Sequence, residues 1–126
     1  MRRWLRFVLL LAVLAGGGCG QKSTDELIAD LKSSEERDRV IAVRLLPQRR
    51  GDTARTVPAL MEALKDNEGD IRWSAAIGLG TLGESAKEAI PALQVALRDR
   101  DRRVREAARV ALSRIDPETF PPRRAQ

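Results

Sequence analysis

The sequence predicts an all-α fold: an α-solenoid of about three stacked helix pairs. Three observations carry that expectation. First, residues 57–82 match residues 90–115 at a fixed offset of 33, with nine identities in 26 positions and no gap. Pro58 recurs as Pro91, Leu60 as Leu93, Asp66 as Asp99, Arg72 as Arg105 and Leu79 as Leu112. A period of about 20–50 residues is the mark of a repeat architecture. Second, the apolar spacing is helical: Val57, Leu60, Met61 and Leu64 fall on one face, as do Ile71, Ala75, Gly78, Leu79 and Leu82. Third, aromatics make up only 3% of the 126 residues, and Leu and Ala supply most of the apolar content. Small side chains suit closely packed helices better than strands, which favour aromatic and β-branched residues.

In chain order, residues 1–18 read as a signal peptide. Arg2, Arg3 and Arg6 precede an apolar run, Phe7–Ala15, and three glycines follow. A basic start, a short apolar centre and a small-residue exit are the parts of a secretory signal. The run is too short to span a bilayer, which needs about 20 apolar residues. Cys19, the sole cysteine, stands directly after the glycines. The arrangement resembles a bacterial lipoprotein signal, which implies lipidation of Cys19 and a tether through residues 19–22. Ordinary cleavage near Gly17 or Gly18 and an unremarkable free thiol at Cys19 are the alternatives. The expected address is the cell envelope, on the periplasmic or extracellular side, with a lipid anchor in the membrane.

Composition narrows the chemistry. There is no His, which removes the commonest general acid/base and metal ligand. One Cys excludes an internal disulfide and a Cys-rich metal site. No catalytic residue, cofactor or metal is expected. The formal net charge is +5, but three of the 23 basic residues lie in the leader; 20 basic and 18 acidic residues remain, a net of +2. With that balance and no interleaved aromatics, no nucleic-acid partner is expected.

Residues 23–116 divide into three units, 23–50, 52–83 and 84–116, each read as helix, polar turn, helix. Ser23 with Glu26 forms a capping-box pattern, and Ser85 with Glu88 another. Pro58 and Pro91 occupy the same place, and each is expected to kink or restart its helix. Pro47 is expected to end the first unit early. That unit is degraded: Ser33 stands at the place of Asp66 and Asp99, and Asp38 at the place of Ile71 and Val104. Terminal repeats are atypical because their outer face meets water, so this unit reads as a cap. Residues 117–126 read as an extended tail, with Phe120 able to fold back over the open end.

The proline in the first helix, the Leu-x-x-x-Leu after it, the turn Asp with an Arg six residues later, and the Ala-rich second helix all match one family. The units resemble HEAT repeats, specifically the short kind also found in phycobilisome-lyase-like proteins. The resemblance implies a ladder in which Asp66 and Asp99 bond Arg72 and Arg105, of the same or a neighbouring unit. Such repeats stack to leave one concave and one convex surface, and the second helices are expected to line the concave side.

Outward positions on those helices align as Val40, Trp73 and Glu106, then Val43, Ala76 and Arg109, then Pro47, Gly80 and Ser113. Val40, Val43, Trp73, Glu106 and Arg109 are therefore the candidate partner-binding residues. Trp73 either anchors an interface, as the residue type most enriched at hot spots, or folds down over a neighbouring helix. The arginines between Arg98 and Arg114 alternate with acids and read as a solvated face with pairs such as Asp101/Arg105; contact with anionic lipid is the functional alternative. The expected function is non-enzymatic: a membrane-anchored scaffold that holds another protein on its concave face, oligomeric state open. The alternative is an accessory to an enzyme or chromophore-handling system of the phycobilisome-lyase-like kind.

Overall fold

In the computed structural model, residues 20–124 are described. The leader and Cys19 lie outside them. Among the described residues six α-helices follow one another: α1 (Thr24–Asp30), α2 (Glu36–Leu45), α3 (Thr53–Ala63), α4 (Gly69–Leu82), α5 (Ile90–Ala96) and α6 (Arg102–Ile115). Among the described residues there is no strand. The helices pair as α1/α2, α3/α4 and α5/α6. Second helices pack beside second helices, α1 packs beside α3, and α3 packs against the Gly83–Ala89 segment; α4 against α6 is the most extensive contact.

Local chemistry explains the ends. Ser23 Oγ accepts from the Glu26 backbone N–H at 3.2 Å, and Glu26 accepts from the Ser23 N–H at 2.6 Å. This reciprocal box opens α1 and satisfies two donors that the first turn leaves unpaired. Helix α2 stops at Leu45, and Pro47 follows inside a 3₁₀ turn. Asp101 caps α6 by accepting from the Arg103 N–H at 2.8 Å. Gly83 ends α4 with φ +58°, a conformation that other residues rarely adopt.

Two expectations fail. Ser85 and Glu88 form no capping box; Gly83–Ala89 runs as 3₁₀ turns without a side-chain cap. Burial of Ala86 and Ala89 holds that segment down instead. Pro58 sits inside an uninterrupted α3. Its missing N–H leaves unpaired the Ala54 carbonyl one turn back, and both residues are exposed to water that can satisfy it. Pro91, by contrast, stands at the start of α5, where its missing N–H costs nothing.

One core runs the length of the stack. Leu27, Leu46, Leu60, Ile71, Leu79, Leu93, Leu112 and Ile115 are fully or almost fully buried. Burying each such side chain contributes about 1.5–3 kcal/mol. Small residues let the second helices approach closely. A Cβ added at Gly78 falls 2.6 Å from Pro47 Cγ, and one at Gly80 falls 2.9 Å from Ala111 Cα. Position 47 thus meets position 78 just as position 80 meets position 111, one repeat later. Phe120 packs against the edge of the core from the tail.

Candidate protein-binding face

The turn between the helices of each unit is built three times on one plan. Arg39 Nη1 donates to the carbonyls of Ser33 and Ser34, at 2.9 and 3.2 Å. Arg72 Nη1 donates to those of Asp66 and Asn67, at 2.7 and 2.9 Å. Arg105 Nη1 donates to those of Asp99 and Arg100, at 2.7 and 3.2 Å. Each arginine thereby satisfies two carbonyls of the turn that follows its own first helix. The turn residue itself accepts a backbone N–H two residues on: Ser33 from Glu35 at 3.1 Å, Asp66 from Glu68 at 2.9 Å, Asp99 from Asp101 at 2.8 Å.

In Arg39 and Arg72 the rest of the guanidinium reaches the next unit. Arg39 Nε donates to Asp66 at 2.9 Å. Arg72 grips Asp99 through Nε at 2.8 Å and Nη2 at 3.0 Å. Planar guanidinium and carboxylate match in this two-bond geometry, which fixes orientation as well as distance. The Arg72 bond holds the Asp99 carboxyl below its ordinary range, and the carboxylate in turn raises Arg72. The ladder therefore runs between units, from Arg39 to Asp66 and from Arg72 to Asp99. Arg105 differs: among the described residues it contacts only its own turn.

The expected outward positions divide. Trp73 is 37% exposed, and Ile77, one turn on, is equally so. Val40 is half-buried against the core, while Val43 and Ala76 are fully buried. The reading of Val43, Ala76, Pro47 and Gly80 as outward is corrected: neighbouring units press on the flanks of the second helices, so those positions are buried, Pro47 against Gly78 and Gly80 against Ala111. Glu106 is exposed and pairs with the half-buried Arg109, which holds its carboxyl low. Asp101 pairs with Arg103 rather than with Arg105.

Trp73 and Ile77 form a ridge between two grooves. The groove between α2 and α4 has a volume of about 640 Å³, with Val43, Pro47 and Gly78 among its lining residues and the exposed Arg44 and Arg50 at its rim. The groove between α4 and α6, about 490 Å³, shares the ridge and adds Ala107 and Val110. Ile77, Arg44 and Arg50 were not among the residues the sequence singled out. The signal for Ile77 was there: it lies four residues after Trp73 on the same helix face. Among the described residues no His, Cys, Asp and Glu cluster could hold a metal, and no helix is long and apolar enough to cross a membrane.

Comparison with known proteins agrees with this construction. A HEAT-repeat family profile matches residues 24–113. No curated protein sequence matches. Among solved structures, a chain in the complex of CpcE and CpcF of phycocyanin lyase from Nostoc sp. PCC7120 superposes with a TM-score of 0.71 at 32% identity. The match covers 85% of this chain and 42% of that one, so this chain spans less than half of its structural relative. With the profile running through all three helix pairs and the solenoid architecture shared, the chain belongs to the HEAT-repeat family.

Proposed function

We propose that the chain is a non-enzymatic adaptor, tethered to a membrane through lipid on Cys19, that holds another protein against its second-helix face. The observation that carries this reading is the exposed Trp73–Ile77 ridge between two apolar grooves. An exposed Trp flanked by pockets is the usual form of an interface hot spot. Arg44 and Arg50, at the rim of the larger groove, form no ion pair among the described residues. The partner that fits is therefore an apolar segment with an acidic flank. The relative's description as part of a two-protein complex supports a protein partner here.

The test is co-purification from solubilised membranes. We expect one stoichiometric partner with the wild type and with Val95→Ser on the opposite face, and its loss with Trp73→Ala/Ile77→Ala. Equal recovery in all three forms contradicts the reading. The tether rests on the leader and the lone Cys19. Mass spectrometry of the mature N-terminus tests it separately: a lipidated Cys19 is expected, and an unmodified one contradicts it.

A second reading follows from the likeness to a phycocyanin lyase chain. In it, the same face serves as the accessory part of a chromophore-handling enzyme. A pigment retained on protein purified from its native source favours this reading; colourless protein with a protein partner favours the first.

A further inference from the structure

The ladder stops at Arg105 with half of its bonding unused. Arg39 and Arg72 each spend Nη1 on their own turn and the rest of the guanidinium on the next unit's aspartate. Arg105 makes the same turn bonds through Nη1, at 2.7 and 3.2 Å, and meets no carboxylate among the described residues. The described part of the tail does not supply one. Phe120 packs against the core and Arg123 lies near enough to Glu106 to favour its charged form, but Glu118, the tail's only acid, pairs with nothing described.

We infer that the exposed end of the third unit is a socket for a second, different helical-repeat chain, whose first turn brings an aspartate to Arg105. Charge complementarity argues for it: a guanidinium already oriented by two carbonyls lacks only the planar acceptor its two counterparts have. Copies of this chain are poor occupants. Ser33 keeps the turn-forming bond to the Glu35 N–H but offers no carboxylate. Asp38, which accepts from Ser33 Oγ at 3.1 Å, stands where stacked units bury Ile71 and Val104. Stacking a second copy there would desolvate a charge. The device also has a purpose. A head-to-tail contact between identical chains does not close unless its rotation allows, and it otherwise grows into filaments. A socket at one end and a defective plug at the other permit one foreign partner and stop growth.

This inference extends the proposed scaffold role but uses a different surface, so the two fail separately. The probe is a variant of the chain itself, Ser33→Asp/Asp38→Val/Arg105→Gln, which has a plug and no socket. It is mixed with wild type, both from Gly20 onward, which includes the whole core, and followed by sedimentation. Ser33→Asp/Arg105→Gln is the second probe should the first lose helicity. A one-to-one complex is expected, weakened at least about tenfold when the wild-type partner carries Arg105→Gln and unchanged when it carries Trp73→Ala. The inference is overturned by no complex at up to about 1 mM, the weak end of specific affinities, or by indifference to Arg105→Gln. Loss with Trp73→Ala would move the contact to the grooves and also overturn it. Wild type that self-associates through Arg105 would make the occupant a second copy, against the exclusion drawn from Ser33 and Asp38.

Discussion

Arg72 holds Asp99 with two hydrogen bonds, at 2.8 and 3.0 Å, across the boundary between the second and third units. Both side chains are nearly buried, 7% and 11% exposed. Removing one partner of such a pair leaves the other charge without compensation, at about 3–5 kcal/mol. Arg72→Ala is therefore expected to lower the melting temperature by roughly 12–40 °C, at about 4–8 °C per kcal/mol for a domain of this size. Arg105→Ala, which loses only bonds to its own turn, is expected to cost about 1 kcal/mol. Thermal melting of the two variants checks the order; equal losses would mean that the ladder stabilises turns and not stacking.

The same pair sets the acid limb of the stability curve. Asp99 is held below its ordinary range by Arg72, and Asp101 by Arg103. A carboxylate depressed in the folded state contributes stability above its unfolded pKa, about 3.9 for Asp, and loses it as pH falls through the folded value. Stability is expected to be level between about pH 5 and 8, because no His titrates there, and to fall below about pH 4. Asp99→Asn should flatten that fall. Denaturant midpoints measured from pH 2 to 8 check both statements.

Close approach of α4 and α6 makes a second prediction about packing. A Cβ at Gly80 would lie 2.9 Å from the Ala111 backbone, which has no flexible end to move. Gly80→Ala is expected to destabilise by about 1–3 kcal/mol, although Ala is the better helix former. Gly51→Ala meets nothing within 4 Å and should change stability by less than about 0.5 kcal/mol. Denaturant titration distinguishes the two.

Thr56 is fully buried and its hydroxyl has no partner among the described residues. The equivalent place in the third unit is held by Ala89, also fully buried. Thr56→Val keeps the shape and removes the orphaned group, so a gain of about 1 kcal/mol is expected. A fall in melting temperature would show that the hydroxyl finds a bond in solution.

Much of this was legible in the residues, because repetition prints the architecture directly. The 33-residue offset marks Asp66/Asp99 and Arg72/Arg105 as a set, and Pro47 marks the early end of α2. The direction of the ladder was not legible. Asp and Arg six residues apart can meet within a unit, and only the stacking brings Arg72 to an aspartate 27 residues on. The positions expected outward at Val43, Ala76, Pro47 and Gly80 are buried. Helical periodicity gives one buried stripe, whereas a helix between two neighbours buries both flanks as well. That is why Trp73 and Ile77 are left as the ridge, and why Gly80, expected outward, lies buried against Ala111.

Photocrosslinking in intact cells tests the adaptor reading most directly, with a photoreactive amino acid at position 77 on the ridge or at position 95 on the opposite side, where Val95 is 74% exposed. A single discrete protein adduct from position 77 and none from position 95 is the predicted result. Adducts from position 95 alone, or from neither position, would contradict it.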